Sequence, residues 1–292
     1  MKAIFSIILL GIITIGIYSC DKIKNPVIGS GVVAIGTNFD TVTNKSVSGF
    51  KKIFLEDYTG HTCLNCPAAA RLAETLSDQY KDTLIVIAVH AGFFANTDAT
   101  FITSYTTTAG NDWDAATGFN VSNQGNPNGM VNRTAYPGFT LVHKDTWATT
   151  VSLAKKDTFF VKLNLTSTYD PKAHALNVDS KLTFLKAYSR NVMLSLILIE
   201  DSIIGLQKDG SKNPVNVPNY VFNHMLRDAI NGSWGELAKA GPSVVNDTAV
   251  VKHTNFAVNT AKFNDKNVSL VAFLYDQTSK EILQVEKIKI RK

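Results

Sequence analysis

The 292-residue sequence predicts an α/β domain followed by an all-β domain. Its length suits two domains better than one. Between residues 51 and 90, a short apolar strand, a helical pattern and a second apolar strand follow one another. This order predicts a parallel βαβ unit in a mixed sheet flanked by helices. From Thr158 onward apolar and polar residues alternate, which predicts an antiparallel sandwich.

The N-terminus has the pattern of a targeting segment. Lys2 precedes an apolar run at residues 5–17, which is too short to span a membrane comfortably. The run ends at Ser19-Cys20 and resembles a bacterial lipoprotein signal, although Tyr18 is bulkier than usual. That resemblance implies cleavage before Cys20 and lipidation of its thiol. The alternative is an ordinary cleaved signal with a coincidental cysteine.

The predicted boundaries follow from these patterns. We expect residues 1–19 to be a signal peptide and residues 20–50 to be the lipid anchor and a Gly-, Ser- and Thr-rich tether. Residues 51–156 form the predicted α/β domain, and residues 157–292 form the predicted sandwich domain. The tether has room for one edge strand.

Composition excludes several classes of protein. Hydrophobic residues make up 45% of the chain and charged residues 18%, which is typical of folded protein rather than disordered protein. The net charge is +5 and no block of Lys or Arg is present, so no nucleic-acid partner is expected. The chain also lacks a Gly-rich phosphate loop and a Gly-x-Ser-x-Gly elbow. No cofactor is therefore expected.

The α/β domain is predicted element by element from apolar spacing. A strand at residues 52–58 leads to the cysteines, and a helix with apolar residues at helical spacing follows them. The β-rich run at residues 84–90 is the next strand. Short helices are possible at residues 101–108 and 113–119, and a turn at 124–129 precedes a hairpin and a closing helix. The hairpin strands lie at residues 130–133 and 138–142, and the helix at 144–155.

The second half is predicted to be mostly strands. Period-two alternation or apolar runs mark strands at residues 159–166, 176–184, 192–199, 249–258, 268–275 and 282–290. Residues 219–230 are interpreted as a short helix or an irregular lid. Within them, His224 and Arg227 could form a binding site, but a structural latch, in which Arg227 and Trp234 pack the lid onto the sandwich, fits better.

Cys63 and Cys66 carry the chemistry that the sequence predicts. If Cys20 is lipidated, they are the remaining thiols. A cysteine at a helix N-terminus is favoured as a thiolate, so we expect Cys63 to attack and Cys66 to resolve. The alternatives are a structural disulfide, or a metal site formed by these cysteines with His61 and His90.

This layout resembles the thioredoxin superfamily over residues 51–155. Asp57 lies six residues before Cys63, where the family has a buried acid that assists proton transfer, and Glu56 is the fallback. Pro127 precedes the hairpin, where the family has a cis-proline facing the dithiol. The interval from the dithiol to Pro127 is longer than in minimal thioredoxins. The dipeptide between the cysteines, Leu64-Asn65, is not a familiar redox pair.

A narrower resemblance covers nearly the whole mature chain. The lipoprotein-like signal occurs together with a Tyr-Thr-Gly-His-Thr-Cys-x-x-Cys-Pro block at residues 58–67 and a Gly-x-Pro-x-Gly-x-Val-Asn-Arg stretch at 125–133. Tyr220-x-x-Asn-His-x-x-Arg and Trp234-Gly235 follow. Together these features resemble the twenty-eight-kilodalton outer-membrane protein family of bacterial lipoproteins. The resemblance implies a cell-envelope location, outer membrane included, and a thioredoxin-like fold, but no established activity.

Two functions compete at this stage. The first is thiol–disulfide exchange with envelope proteins by a protein that Cys20 anchors to the membrane. Cys63, Cys66, Asp57 and Pro127 would form its site. The second is a non-enzymatic binding or adhesion lipoprotein whose disulfide is structural, because fold does not imply function.

Overall fold

β-Strands dominate the structure, and three short α-helices lie among them. The computed structural model describes residues 40–43 and 49–291. The helices of that part are α1 (Cys66–Tyr80), α2 (Thr108–Asp114) and α3 (Trp147–Ala154). Its strands are β1 (Asp40–Thr43), β2 (Ile53–Thr59), β3 (Leu84–His90), β4 (Asn128–Val131), β5 (Leu141–His143), β6 (Val161–Asp170), β7 (Ala175–Phe184), β8 (Val192–Glu200), β9 (Ile203–Lys208), β10 (Asn216–Phe222), β11 (Met225–Ala229), β12 (Glu236–Lys239), β13 (Thr248–Ala257), β14 (Val268–Asp276) and β15 (Ile282–Lys289). No helix in these two ranges is long and apolar enough to cross a membrane. The predicted signal peptide and Cys20 lie outside the described residues.

Nine of the described strands form one mixed sheet. Its order is β15-β14-β8-β11-β3-β2-β4-β5, and β12 also pairs with β8. β2 and β3 run parallel from Ile53 opposite Leu84 to Thr59 opposite His90, with α1 between them in sequence. β4 and β5 pair antiparallel with each other, and β4 pairs antiparallel with β2. The predicted βαβ unit and the following hairpin are therefore confirmed.

A second sheet is antiparallel, with the order β1-β6-β7-β13. Its alternate buried residues, such as Leu165 and Leu182, share one hydrophobic core with residues of β8 and β14, such as Leu196 and Leu270. The period-two alternation of the second half thus has the structural basis that the sequence indicated.

The two predicted domains share the large sheet. β11, from the second half, lies between β3 and β8 and pairs with both. All described residues belong to one compact unit, Asn38–Lys292. The structure is thus β-rich, with mixed and antiparallel sheets and few helices, and the boundary at residue 157 stays a prediction.

Some local predictions were wrong. Residues 219–230 are not a helix, because Tyr220, Val221 and Phe222 are strand formers that complete β10. His224 then adopts a positive φ of 58°, which separates β10 from β11. Residues 101–107 are not helical, and the helix expected at 113–119 is α2, which starts at Thr108 and ends at Asp114.

Alternation along β2 decides which side chains reach the cysteines. Ile53 and Leu55 pack with α1 and α3 on one face of the sheet, whereas Phe54 and Tyr58 pack with Trp113 on the other. Because side chains alternate along a strand, Asp57 shares the face of Ile53 and Leu55. Glu56 lies on the opposite face.

Candidate functional site

Cys63 and Cys66 are joined by a disulfide at the turn between β2 and α1. Both cysteines are buried, with only 2% of their surface exposed. α1 begins at Cys66, and Pro67 lies in its first turn. The expectation that Cys63 would sit at the helix N-terminus was therefore wrong, because the loop continues through Asn65 and it is Cys66 that occupies the first helical position.

The cysteine loop is held on one side by residues 93–95. A Cβ atom on Gly60 would lie 2.2 Å from the Phe94 carbonyl carbon, so only glycine allows this approach. The Thr62 N–H and its hydroxyl group both donate to the Phe94 carbonyl oxygen, at 3.1 and 2.9 Å. These contacts fix the backbone immediately before Cys63.

The hairpin of β9 and β10 holds the other side of the loop. The Lys208 N–H donates to the His61 carbonyl oxygen and the Gly210 N–H to the Leu64 carbonyl oxygen, both at 2.9 Å. The Gln207 amide Nε2 donates to the Cys63 carbonyl oxygen at 3.1 Å. A segment more than 140 residues away in sequence therefore touches the disulfide loop.

Asp57 is a buried acid at the end of the strand that leads to the cysteines. It is 2% exposed, and its Oδ1 has no hydrogen-bond partner among the described residues. Burial raises the pKa of its carboxyl to about 8, and the His224 charge offsets only part of this effect. Asp57 is therefore protonated at neutral pH and close to the point at which it can exchange a proton.

Glu56, the alternative to Asp57 as the buried acid, forms an ion pair with Arg133. Its two carboxylate oxygens accept bonds from Nε and Nη2 of Arg133, both at 2.8 Å, and both side chains are buried. The Arg133 guanidinium also lies over the aromatic rings of Trp113 and Phe119. This arrangement is structural and lies on the face away from the cysteines.

A cavity of about 150 Å³ connects Asp57 with the disulfide. It lies between α1, the β2–β3 pair and β10, and Asp57 and Cys66 line it, whereas Cys63 does not. Arg71, Glu74 and His224 are also on its wall. The cavity thus brings one cysteine of the disulfide and one protonated carboxyl together with several other ionisable side chains.

His224 links that wall to two carboxylates. Its Nε2 lies 3.1 Å from Glu74 and its Nδ1 lies 3.3 Å from Asp201. Burial by itself would lower the pKa of His224, but its contacts with the Asp201 and Glu74 carboxylates raise it overall. The same contact with His224 lowers the pKa of Glu74.

His61 and His90 lie beside the disulfide loop in an aromatic cluster. Their rings are 6.4 Å apart, and Tyr105 lies 5.5 Å from each. None of their ring nitrogens has a hydrogen-bond partner within the described protein. Burial lowers the pKa of His90 to about 3, with a smaller effect from His61, and burial also lowers the pKa of His61. Both imidazoles are therefore neutral at neutral pH.

The described residues show no group of three or more His, Cys, Asp or Glu side chains that could hold a metal ion. The two cysteines of the proposed Cys₂His₂ set are bonded to each other, which leaves no thiolate to ligate. The metal alternative therefore receives no support from this arrangement.

Pro127 lies directly before β4, and the Asn126–Pro127 bond is cis, as the resemblance implied. Pro127 is buried, and β4 pairs with β2 from Tyr58 opposite Asn128. Pro127 does not line the cavity at Cys66.

Arg227 and Trp234, the two side chains of the predicted latch, pack against different parts of the molecule. Arg227 lies 3.0 Å from Glu200 and stacks over Phe263, whereas Trp234 packs on Phe119. Arg227 thus packs within the second half, whereas Trp234 packs on a residue of the first half.

The covering role of residues 203–222 was missed by sequence reasoning. Asp209-Gly210, between two β-rich runs, is a hairpin signal that could have identified β9 and β10. No local pattern shows that Gln207 of β9 would contact Cys63. That contact arises from the tertiary fold.

Fold and site together define a β-rich protein with a central mixed sheet and a Cys-x-x-Cys disulfide at a strand-to-helix turn. The chain belongs to the Omp28 outer membrane protein family, whose model matches residues 115–292. This membership confirms the predicted outer-membrane location. The matched segment begins after the cysteines, so the family match does not describe the disulfide.

Solved structures are similar in fold at low sequence identity. HBP35 of Porphyromonas gingivalis has a TM-score of 0.59 and 16% identity, covering 84% of this chain and 76% of that one. A protein of Agrobacterium tumefaciens has a TM-score of 0.52 and 11% identity, covering 84% and 97%. A domain of the outer membrane lipoprotein Omp28 from P. gingivalis is 20% identical, covers 46% and 91%, and has a TM-score of 0.29, which adds nothing to the fold assignment. No curated protein matches the chain in sequence.

Proposed function

We propose that this outer membrane protein exchanges disulfides with other envelope proteins through Cys63 and Cys66. The observation that carries the proposal is the cavity that Asp57 and Cys66 share. A buried carboxyl with its pKa near neutrality, placed beside a disulfide, is the arrangement that proton-coupled thiol exchange requires. In this proposal Cys20 carries the lipid anchor.

The fold of residues 51–156 supports a thioredoxin-like assignment. The order of β2, disulfide, α1, β3, β4, β5 and α3, with a parallel β2–β3 pair and an antiparallel β4–β5 pair, agrees with that superfamily. We assign Pro127, at the start of β4, to the face that receives a partner chain.

The exchange begins from the reduced pair. The Cys63 thiolate attacks a disulfide of the partner, a mixed disulfide forms, and the partner's other sulfur leaves as a thiolate. The minor ionised form of Asp57 takes the proton of the Cys66 thiol, and the resulting Cys66 thiolate attacks Cys63 Sγ. The partner is released reduced, and the Cys63–Cys66 disulfide forms again. The same steps in reverse oxidise a partner dithiol.

An equilibrium titration in defined thiol buffers tests whether the disulfide exchanges at all. We expect a midpoint above about −300 mV, because structural disulfides of secreted proteins lie below that value. Alkylation followed by mass spectrometry reports the fraction of Cys63 and Cys66 that is reduced. A pair that stays oxidised across these buffers would contradict the proposal.

A trapping experiment tests the roles of the two cysteines. Cys66→Ser removes the resolving thiol and should accumulate mixed disulfides through Cys63 in envelope extracts. Cys63→Ser is the matched control, because it keeps one thiol at the same turn but removes the attacking one. Equal trapping by both variants would reject the assigned roles.

One observation favours a binding lipoprotein as the second candidate. Both cysteines are buried and β9–β10 contacts their loop, which is also how a structural disulfide would look. In that case a variant with serine at both positions retains its envelope partners and loses only stability. In the exchange proposal the same variant loses its partners.

A further inference from the structure

The β9–β10 hairpin is a separate two-stranded sheet among the described strands. Its two strands pair with each other and with no strand of the other two sheets. A two-stranded hairpin is only marginally stable without other support. The contacts that seat this hairpin therefore decide where it lies.

The base and the tip of the hairpin are held differently. At the base, Phe222 and Ile203 pack with Tyr105 and Met225 in a small hydrophobic cluster. At the tip, the Gly210 N–H donates to the Leu64 carbonyl oxygen, one of the two backbone bonds to the cysteine loop. Apolar packing thus anchors the base, whereas the tip depends on polar contacts.

An ion pair adds to the polar contacts that hold the tip against the cysteine loop. Arg71 on α1 lies 2.8 Å from Asp209, whose side chain is 3% exposed while that of Arg71 is 51% exposed. Burial by itself would raise the pKa of Asp209, but hydrogen bonds from Arg71 and Ser211 hold it below its usual value. Asp209 is therefore charged at neutral pH and pairs with Arg71.

The seated hairpin leaves limited access to the disulfide. Cys63 and Cys66 are each 2% exposed, and the Gln207 side chain lies over the Cys63 carbonyl. The cavity of about 150 Å³ still has Cys66 on its wall. That space can admit a small thiol but not a folded polypeptide chain.

We propose that the β9–β10 hairpin is a gate that determines which thiols react with the disulfide. In the seated position small thiols reach Cys66 through the cavity, and protein thiols react only after the tip leaves the cysteine loop. This inference rests on the proposed exchange function and adds the regulation of its site.

Both classes of reagent reduce the disulfide in two steps, but they attack different sulfurs. A small thiolate in the cavity attacks Cys66 Sγ and Cys63 leaves as a thiolate, whereas a protein thiolate attacks Cys63 Sγ and Cys66 leaves, as in the exchange proposed above. The second thiol of the reagent then loses its proton, attacks the reagent's own sulfur in the mixed disulfide and releases the bonded cysteine as a thiolate. The products are an oxidised reagent and a reduced Cys63–Cys66 pair.

Gly210→Val tests the gate at a residue of the tip that does not itself line the cavity. A Cβ at Gly210 would lie 3.3 Å from the Leu64 carbonyl oxygen, so the larger valine side chain pushes the tip away. Gly49→Val is the matched control, because no atom lies within 4 Å of a Cβ at that glycine. Asp209→Asn is a second variant that weakens the seat by removing the charge that pairs with Arg71.

The two probes are dithiothreitol as the small dithiol and reduced thioredoxin as the protein dithiol. The readout is the rate at which Cys63 and Cys66 become available for alkylation. We expect thioredoxin to react about tenfold faster with Gly210→Val and with Asp209→Asn than with the natural chain. If each substitution weakens the contacts between the tip and the cysteine loop by about 1.4 kcal/mol, the equilibrium constant for opening rises tenfold. The rates with dithiothreitol should change by less than about twofold, because the cavity route needs no opening.

The outcomes separate the gate from the exchange function. No reaction with either probe in any variant contradicts the exchange function itself. A thioredoxin rate that is the same in Gly210→Val, Asp209→Asn and Gly49→Val overturns the gate while exchange stands. Equal acceleration with both probes overturns it too, because the hairpin would then screen small and large thiols alike.

Discussion

Replacing Asp57 by asparagine should change how stability depends on pH. The substitution keeps the size of the buried side chain and removes its proton. In the folded chain the pKa of Asp57 is about 8, compared with 3.8 for an unburied aspartate. Between these two values the unfolded chain carries the charge and the folded chain carries the proton. The unfolded chain therefore binds fewer protons, and Asp57 lowers the free energy of unfolding as pH rises.

The magnitude follows from the width of that interval. Each pH unit within it changes the free energy of unfolding by about 1.36 kcal/mol. Moving from about pH 5 to about pH 7.5 should therefore raise the stability of Asp57→Asn relative to the natural chain by about 3 kcal/mol. Other titrating groups are common to both chains and cancel in the comparison.

Urea denaturation of both chains at the two pH values measures this difference. Asp82→Asn is the control, because Asp82 is exposed and the same substitution there should leave the difference near zero. A stability difference between Asp57→Asn and the natural chain that does not change with pH would show that Asp57 ionises normally. The role of Asp57 in proton transfer would then have no basis.

Three further predictions concern the surroundings of the site. Arg133→Met should lower the free energy of unfolding in urea by about 3–5 kcal/mol by leaving the Glu56 carboxylate buried and unpaired. Adding Glu56→Gln should restore part of the loss, and equal stability of both variants would reject the argument. His90→Phe should lessen acid destabilisation by about 2 kcal/mol in denaturation curves between about pH 6.5 and about pH 4.5, because the folded chain keeps His90 neutral while the unfolded chain takes up a proton. If both chains lose the same stability between these pH values, the lowered pKa of His90 is contradicted. Gly129→Ala should lower the melting temperature by several degrees, since a Cβ there would lie 2.4 Å from the Glu56 carbonyl oxygen. An unchanged melting temperature would mean that β4 can shift away from β2.

Strands with strong local patterns could be predicted from the sequence. The apolar run of β3 and the alternation along β6 and β7 depend on burial of whole strand faces, and such burial leaves a visible period. The strand–disulfide–helix order was visible for the same reason. The prediction for residues 219–230 was wrong because the spacing of Tyr220, His224 and Arg227 fits a helical face as well as two short strands separated by a turn.

The covered state of the disulfide could not be predicted. Lys208 and Gly210 contact the cysteine loop through backbone atoms, and backbone contacts leave no signature in side-chain type. For a similar reason, the sequence could not show whether Glu56 or Asp57 is the acid on the face of the cysteines. Both side chains are buried on a strand that is covered on both faces, so alternation alone does not show which face carries the cysteines.

The position of β11 constrains the order in which the molecule can be completed. β3 ends at His90, but its hydrogen-bonding neighbour on one side begins at Met225. During synthesis and export the first half therefore carries an open strand edge until most of the chain has emerged. Such an edge can pair with another chain. The second half thus covers an edge that the first half leaves open, and a fragment that stops before Met225 should associate with copies of itself.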